Sequence, residues 1–98
     1  MSGLRGGYGA IHSVIVNGYN VKFAKDSPYI ISVSIPGVRC EIDLTDGERK
    51  LNDSFVTALE IRDWSPKAIN NLQKYILSED KWDSCIEMNT KTGKIMSC

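Results

Sequence analysis

Apolar and polar residues alternate with period two from Ile11 onward, and the pattern breaks at regular intervals at turn-forming pairs. IHSVIV and YNVKFA flank Asn17-Gly18. Asn-Gly between two β-prone runs predicts a hairpin over about 11–24, closed by a type I′ turn with positive φ at both central residues. A two-residue loop sets the register, with Val16 opposite Tyr19, Val14 opposite Val21 and His12 opposite Phe23. One face then carries His12, Val14, Val16, Tyr19, Val21 and Phe23. The other carries Ile11, Ser13, Ile15, Asn20, Lys22 and Ala24.

The same grammar returns over about 29–44, where YIISVSI and VRCEIDL flank Pro36-Gly37. A type II turn suits Pro-Gly, and either a two- or a four-residue loop preserves one register. Ile35 faces Val38, Val33 faces Cys40, Ile31 faces Ile42 and Tyr29 faces Leu44, all on an apolar inner face. The outer face reads Ile30, Ser32, Ser34, Arg39, Glu41 and Asp43, so this hairpin is apolar on one side and polar on the other.

FVTALEIRDW fits two periods. As a helix it stripes Phe55, Val56, Ala58 and Leu59, with Ile61 outside the stripe and Arg62 inside. As a strand it puts Phe55, Thr57, Leu59 and Ile61 on one face. The strand reading has fewer violations and predicts an extra strand near 55–62. Ser65-Pro66 then starts a helix, serine as N-cap and proline at the first helical position, over about 66–78. Its stripe is Ile69, Leu72, Gln73 and Ile76, flanked by Ala68 and Tyr75. A last hairpin spans about 84–98, with Gly93 in the left-handed position of its loop; one register puts Met88 near Ile95 and Cys85 near Cys98, and a slip of one residue gives the alternative. Residues 1–9 hold Gly3, Gly6, Gly7 and Gly9 and read as a flexible arm. Residues 10–98 read as one α+β domain of antiparallel hairpins with one helix.

Length supports that reading, since 98 residues make one domain. Twelve Lys and Arg balance twelve Asp and Glu, so no global field draws the chain to nucleic acid or to an anionic membrane. No apolar stretch approaches the roughly 18 residues of a membrane span. The opening MSGLRGGYGA lacks the apolar run of a secretory leader. Cys40, Cys85 and Cys98 are odd in number and widely spaced, which fits neither a disulfide framework nor a paired metal motif. The expectation is a cytoplasmic protein with three reduced thiols.

Candidate chemistry is sparse. His12, the one histidine, sits on an inward face, and Cys40 points inward from another hairpin, so a Cys–His pair is conceivable. A strand-end histidine and a buried small hydrophobe explain the same residues. Glu41, Asp43, Asp46 and Glu48 gather four acids, as hard-metal and nuclease sites do. No partner base accompanies them, and a solvated face explains them equally. The aromatic residues lack the basic stripe of a base-stacking surface. No catalytic residue, metal site or cofactor is expected.

The remaining signal is apolar side chains on the wrong face: Ile11, Ile15 and Ile30 point away from the core. One helix of about 20 Å cannot cover both faces of a large sheet. Curling of the sheet, the arm, or another chain could cover them. With Glu41 and Asp43 on the same side, Ile11, Ile15 and Ile30 read as a partner-binding surface. The expected function is a non-enzymatic protein that inhibits or regulates a larger protein with a basic surface. Antitoxins, immunity proteins and phage-encoded inhibitors of host defence are the usual bacterial and bacteriophage examples, and a homodimer would cover the same face. The alternatives are a nucleic-acid-binding accessory protein and a small hydrolase or nuclease using the acids at 41–48.

Overall fold

The computed structural model describes residues 10–82 and 85–98. The expected arm at 1–9 and the start of the last hairpin at 84 lie outside the described residues. Six strands form one sheet: β1 (His12–Val16), β2 (Tyr19–Ser27), β3 (Ile30–Ile35), β4 (Val38–Asp43), β5 (Ile86–Met88) and β6 (Ile95–Ser97). The order is β4-β3-β2-β1-β5-β6, antiparallel except where β5 runs parallel to β1. Two helices, α1 (Asp53–Ile61) and α2 (Pro66–Leu77), sit between β4 and β5 in the chain. This is a small α+β domain with a mostly antiparallel sheet.

The first two hairpins have the expected registers, and the third takes the first of its two alternatives. His12 pairs with Phe23, Val33 with Cys40 and Met88 with Ile95. The first turn differs in type. Gly18 has φ 80° and Asn17 is not among the positive-φ residues, so glycine alone takes the left-handed position, as Gly37 does at φ 84° in the second turn. Register survives because both turn types close a two-residue loop. Tyr29 is a second difference. Leu44 N–H donates to its carbonyl at 2.7 Å, but the ring, at the β2–β3 turn, is 59% exposed rather than inward.

The predicted strand near 55–62 is instead helix α1. The Asn52 side chain accepts from Phe55 N–H at 2.8 Å and caps it, with Asp53 in the first turn. Phe55, Ala58 and Leu59 form its buried stripe. Ile61 misleads because it is the last helical residue, 78% exposed, and no longer needs to obey the stripe. Arg62 closes the helix by donating from its guanidinium to the Ala58 carbonyl at 3.0 Å and to the Pro36 carbonyl at 3.1 Å.

Two helices therefore cover one side of the sheet, and one continuous core fills the gap. Val14, Val21, Phe23, Ile31, Val33 and Ile42 supply the sheet side, each nearly inaccessible. Phe55 and Leu59 descend from α1, and Ala68, Leu72 and Ile76 from α2. Gln73 lies beside that stripe for a structural reason: its side-chain oxygen accepts from Leu51 N–H at 2.8 Å and ties the approach to α1 onto α2. Among the described residues no helix is long and apolar enough to cross a membrane.

Candidate functional site

The side of the sheet away from the helices has no cover among the described residues. Pleating puts every second residue there, and the ladder pairs define its rows. Arg39, Ser34, Lys22 and Ser13 form one row across β4 to β1. Glu41, Ser32 and Ala24 form the next. Asn20, Ile15, Glu87 and Met96 form a third, which crosses the parallel β1–β5 junction. Between Ile11, Lys22, Ala24, Asp26 and Arg39 runs a shallow groove of about 260 Å³. Among the described residues the face carries two cations, Lys22 and Arg39, against four carboxylates, Asp26, Glu41, Asp43 and Glu87. Arg39 reaches Asp26 at 3.6 Å and Glu41 at 3.9 Å, pairs exposed enough to hold little energy.

Each predicted binding residue lies on this face, but they do not form one patch. Ile30 pairs with Asp43, and Glu41 sits one row away, so these three come together at the β3–β4 end. Ile15 lies at the other end, the equivalent of seven residues along β2, or about 23 Å. Ile11, 71% exposed, lies on the β1 side between them. The centre is polar, made of Lys22, Ser32, Ser34 and Arg39, and the isoleucines lie around it. The sequence reading missed Met96, 49% exposed, which joins the 40% exposed Ile15 across Glu87. Only the parallel β1–β5 pairing brings them together, and that contact has no local signature.

The structure separates the other candidates. His12, Phe23, Val33 and Cys40 occupy one row on the core side. His12 and Cys40 are thus three strands apart, about 14 Å, with Phe23 and Val33 between them, so no Cys–His pair forms. His12 packs on Trp82 with ring centroids 5.2 Å apart, at the edge of an aromatic cluster with Phe23 and Tyr75. Burial pushes the Cys40 thiol up from its ordinary range, partly offset by a backbone hydrogen bond at Asn52. Of the acids at 41–48, Asp43 and Asp46 are engaged by their own loop. One Asp43 oxygen accepts from Thr45 Oγ1 at 2.6 Å and from Thr45 N–H at 2.9 Å, and these bonds hold its carboxyl below the usual range. Asp46 accepts from Glu48 N–H at 3.0 Å. Among the described residues no three of His, Cys, Asp and Glu gather as a metal set.

The thiol expectation is overturned. Cys85 and Cys98 form a disulfide across β5 and β6, with Cα atoms 5.4 Å apart and a sequence separation of 13. Cys40 is the free thiol, and it is buried. The register that put Cys85 beside Cys98 was legible; the oxidised state was not, because it had been argued from an expected reducing compartment. No protein-family model, no curated protein and no solved structure matches the chain.

Proposed function

We propose that the protein is a non-enzymatic binding protein whose open sheet face docks on a larger protein with a basic surface and thereby inhibits or regulates it. The observation that carries this reading is that, among the described residues, helices cover only one side of the sheet. Six strands span five spacings, about 24 Å, and the middle strands run about 20 Å, so the face projects roughly 500 Å². That is of the order of one side of a standard interface, about 800 Å² per partner. Non-obligate interfaces are about as apolar as ordinary surface, so a polar centre with isolated apolar anchors is compatible with docking. The excess of carboxylates favours a cationic partner and sets its approach. Oxidising compartments preserve the Cys85–Cys98 bond, so the reading does not require a reducing cytoplasm.

The test is affinity capture from the source organism with three baits: the native chain, Ile15→Lys and a helix-side control, Lys67→Glu. The reading expects a protein retained by native and control baits and lost with Ile15→Lys, with hydrogen-exchange protection on β1 to β4 in the purified complex. Retention that ignores Ile15→Lys, or protection confined to the helices, overturns it.

A further inference from the structure

A concavity of about 410 Å³ opens on the helix-bearing side, between the C-terminal half of α2, the 3₁₀ turn Glu79–Lys81 and the β5–β6 connection. Lys74, Lys81 and Lys94 all line it, together with Asn71 and Tyr75. We propose that this hollow binds a small phosphate-bearing molecule, independently of the sheet face.

Charge is the first argument. The chain is neutral, yet three of its cations converge on one hollow. The ion pairs among the described residues employ Lys25, Arg39, Lys50 and Lys91. None involves Lys74, Lys81 or Lys94. The nearby Glu79 is taken by Lys25 at 2.6 Å, and Asp80 does not line the hollow. Converging cations repel one another until an anion enters. A phosphomonoester, with about −1.5 to −2 charges near pH 7 and three acceptor oxygens, answers three lysines better than a single carboxylate does.

Preorganisation is the second argument. Both lysine-bearing walls are pinned to α2. The Asn71 side-chain amide donates to the Gly93 carbonyl at 2.8 Å. Gly93 N–H donates to the Asn89 carbonyl at 2.8 Å, and Lys94 N–H to Thr92 Oγ1 at 3.2 Å. Gly93, at φ 75°, sits so close to α2 that a Cβ there would lie 2.8 Å from Asn71 Nδ2 and 3.2 Å from the Ala68 backbone. On the other wall, Tyr75 OH donates to the Lys81 carbonyl at 2.8 Å. The backbones carrying Lys81 and Lys94 are thus fixed before any ligand arrives, which lowers the cost of ordering on binding.

Size is the third. The volume lies within the roughly 300–1,000 Å³ of small-molecule sites. An extended nucleic-acid backbone requires a basic stripe, and Lys25 and Lys91, which could lengthen the cluster, are paired with Glu79 at 2.6 Å and with Asp63 at 3.0 Å. Ile95, 40% exposed, supplies an apolar wall for the rest of the molecule.

The test is titration of the purified, oxidised chain with inorganic phosphate, pyrophosphate and ADP, followed by calorimetry and backbone NMR. The expected result is one saturable site, tighter for pyrophosphate than for phosphate, with the largest shifts at the Gly93 and Lys94 amides. Lys74→Ala and Lys94→Ala should each weaken it about three- to tenfold, the loss of one partly exposed charge-assisted bond, with unchanged thermal midpoints. Lys22→Ala, on the sheet face, should leave it unchanged. The proposal falls if no probe saturates below about 10 mM, or if Lys22→Ala weakens binding as much as Lys94→Ala. It also falls if a single-stranded oligonucleotide displaces pyrophosphate with an affinity that grows with its length.

Discussion

Replacing Ile15 with lysine and, separately, Val33 with lysine separates the two sides of the sheet without knowledge of any partner. Val33 is fully buried, with Phe23 and Cys40 beside it in register, both 5% exposed or less. Its burial contributes about 1.5–3 kcal/mol, and a lysine there adds several kcal/mol for desolvating an unpaired ammonium. A 98-residue domain holds about 5–15 kcal/mol in total, so Val33→Lys should unfold most of the population. Ile15 is already 40% exposed, and its neighbours in register are Asn20 and Glu87. A lysine there keeps its stem on the sheet and gains an opposite charge across the strand pair. The net cost should stay under about 1 kcal/mol, a shift of no more than about 4–8 °C. Circular dichroism melts compare the three proteins directly, and sedimentation velocity reports whether Ile15→Lys dissociates a native dimer. If Ile15→Lys unfolds the monomer as Val33→Lys does, the face is core and the docking argument is wrong.

Thiol titration under denaturing, non-reducing conditions should find one free thiol, and three after reduction; native Cys40 should resist alkylation because it is buried and its thiol is held protonated. Opening the 13-residue Cys85–Cys98 loop should cost up to about 3 kcal/mol and expose the β6 amides to hydrogen exchange, whereas unchanged exchange would show that the bond does not hold the strand. Gly93→Ala should destabilise by about 1–3 kcal/mol, from the positive φ and the contact with α2, read as a lower denaturation midpoint. Asp43 should titrate below a normal aspartate by NMR and return toward it in Thr45→Val. Its depressed pKa means the Thr45 bonds add stability above the unfolded-state pKa and lose it as pH falls through the folded value. An unshifted Asp43 in the native protein would remove that turn from the account.

Pattern and punctuation made the local architecture readable. Asn17-Gly18 and Pro36-Gly37 set two registers, Gly93 marked the third turn, and Ser65-Pro66 set the start of α2; all are decided within a few residues of chain. The failures lie where longer-range contacts decide. Helix α1 has a cap at Asn52 that was there to be read, but Ile61 looked like a strand residue because nothing local shows that the helix ends beneath it. The β1–β5 pairing, and with it the Ile15–Glu87–Met96 row, joins segments about 70 residues apart. The oxidation of Cys85 and Cys98 followed from their pairing, and an argument from compartment displaced one from geometry.

The lysine hollow shows the same principle applied to charge. A zero net charge is a sum over the chain, and the sum says nothing about how the terms are placed. Lys74, Lys81 and Lys94 are spread over 21 positions of sequence, with Glu79, Asp80, Asp83 and Glu87 between them, so no short run of sequence gathers the three. Folding sorts them: Glu79 turns to Lys25 of β2, while the three lysines line one hollow beside α2 and the Gly93 loop. The acids follow the opposite course, leaving the sheet face with four carboxylates against two cations. A neutral chain thus presents one acid-leaning face and one basic hollow on different sides. Net charge bears on extended polyanions and says little about small ones, because a Debye length of about 8 Å at physiological salt lets a compact ligand feel only the charges that line its own site.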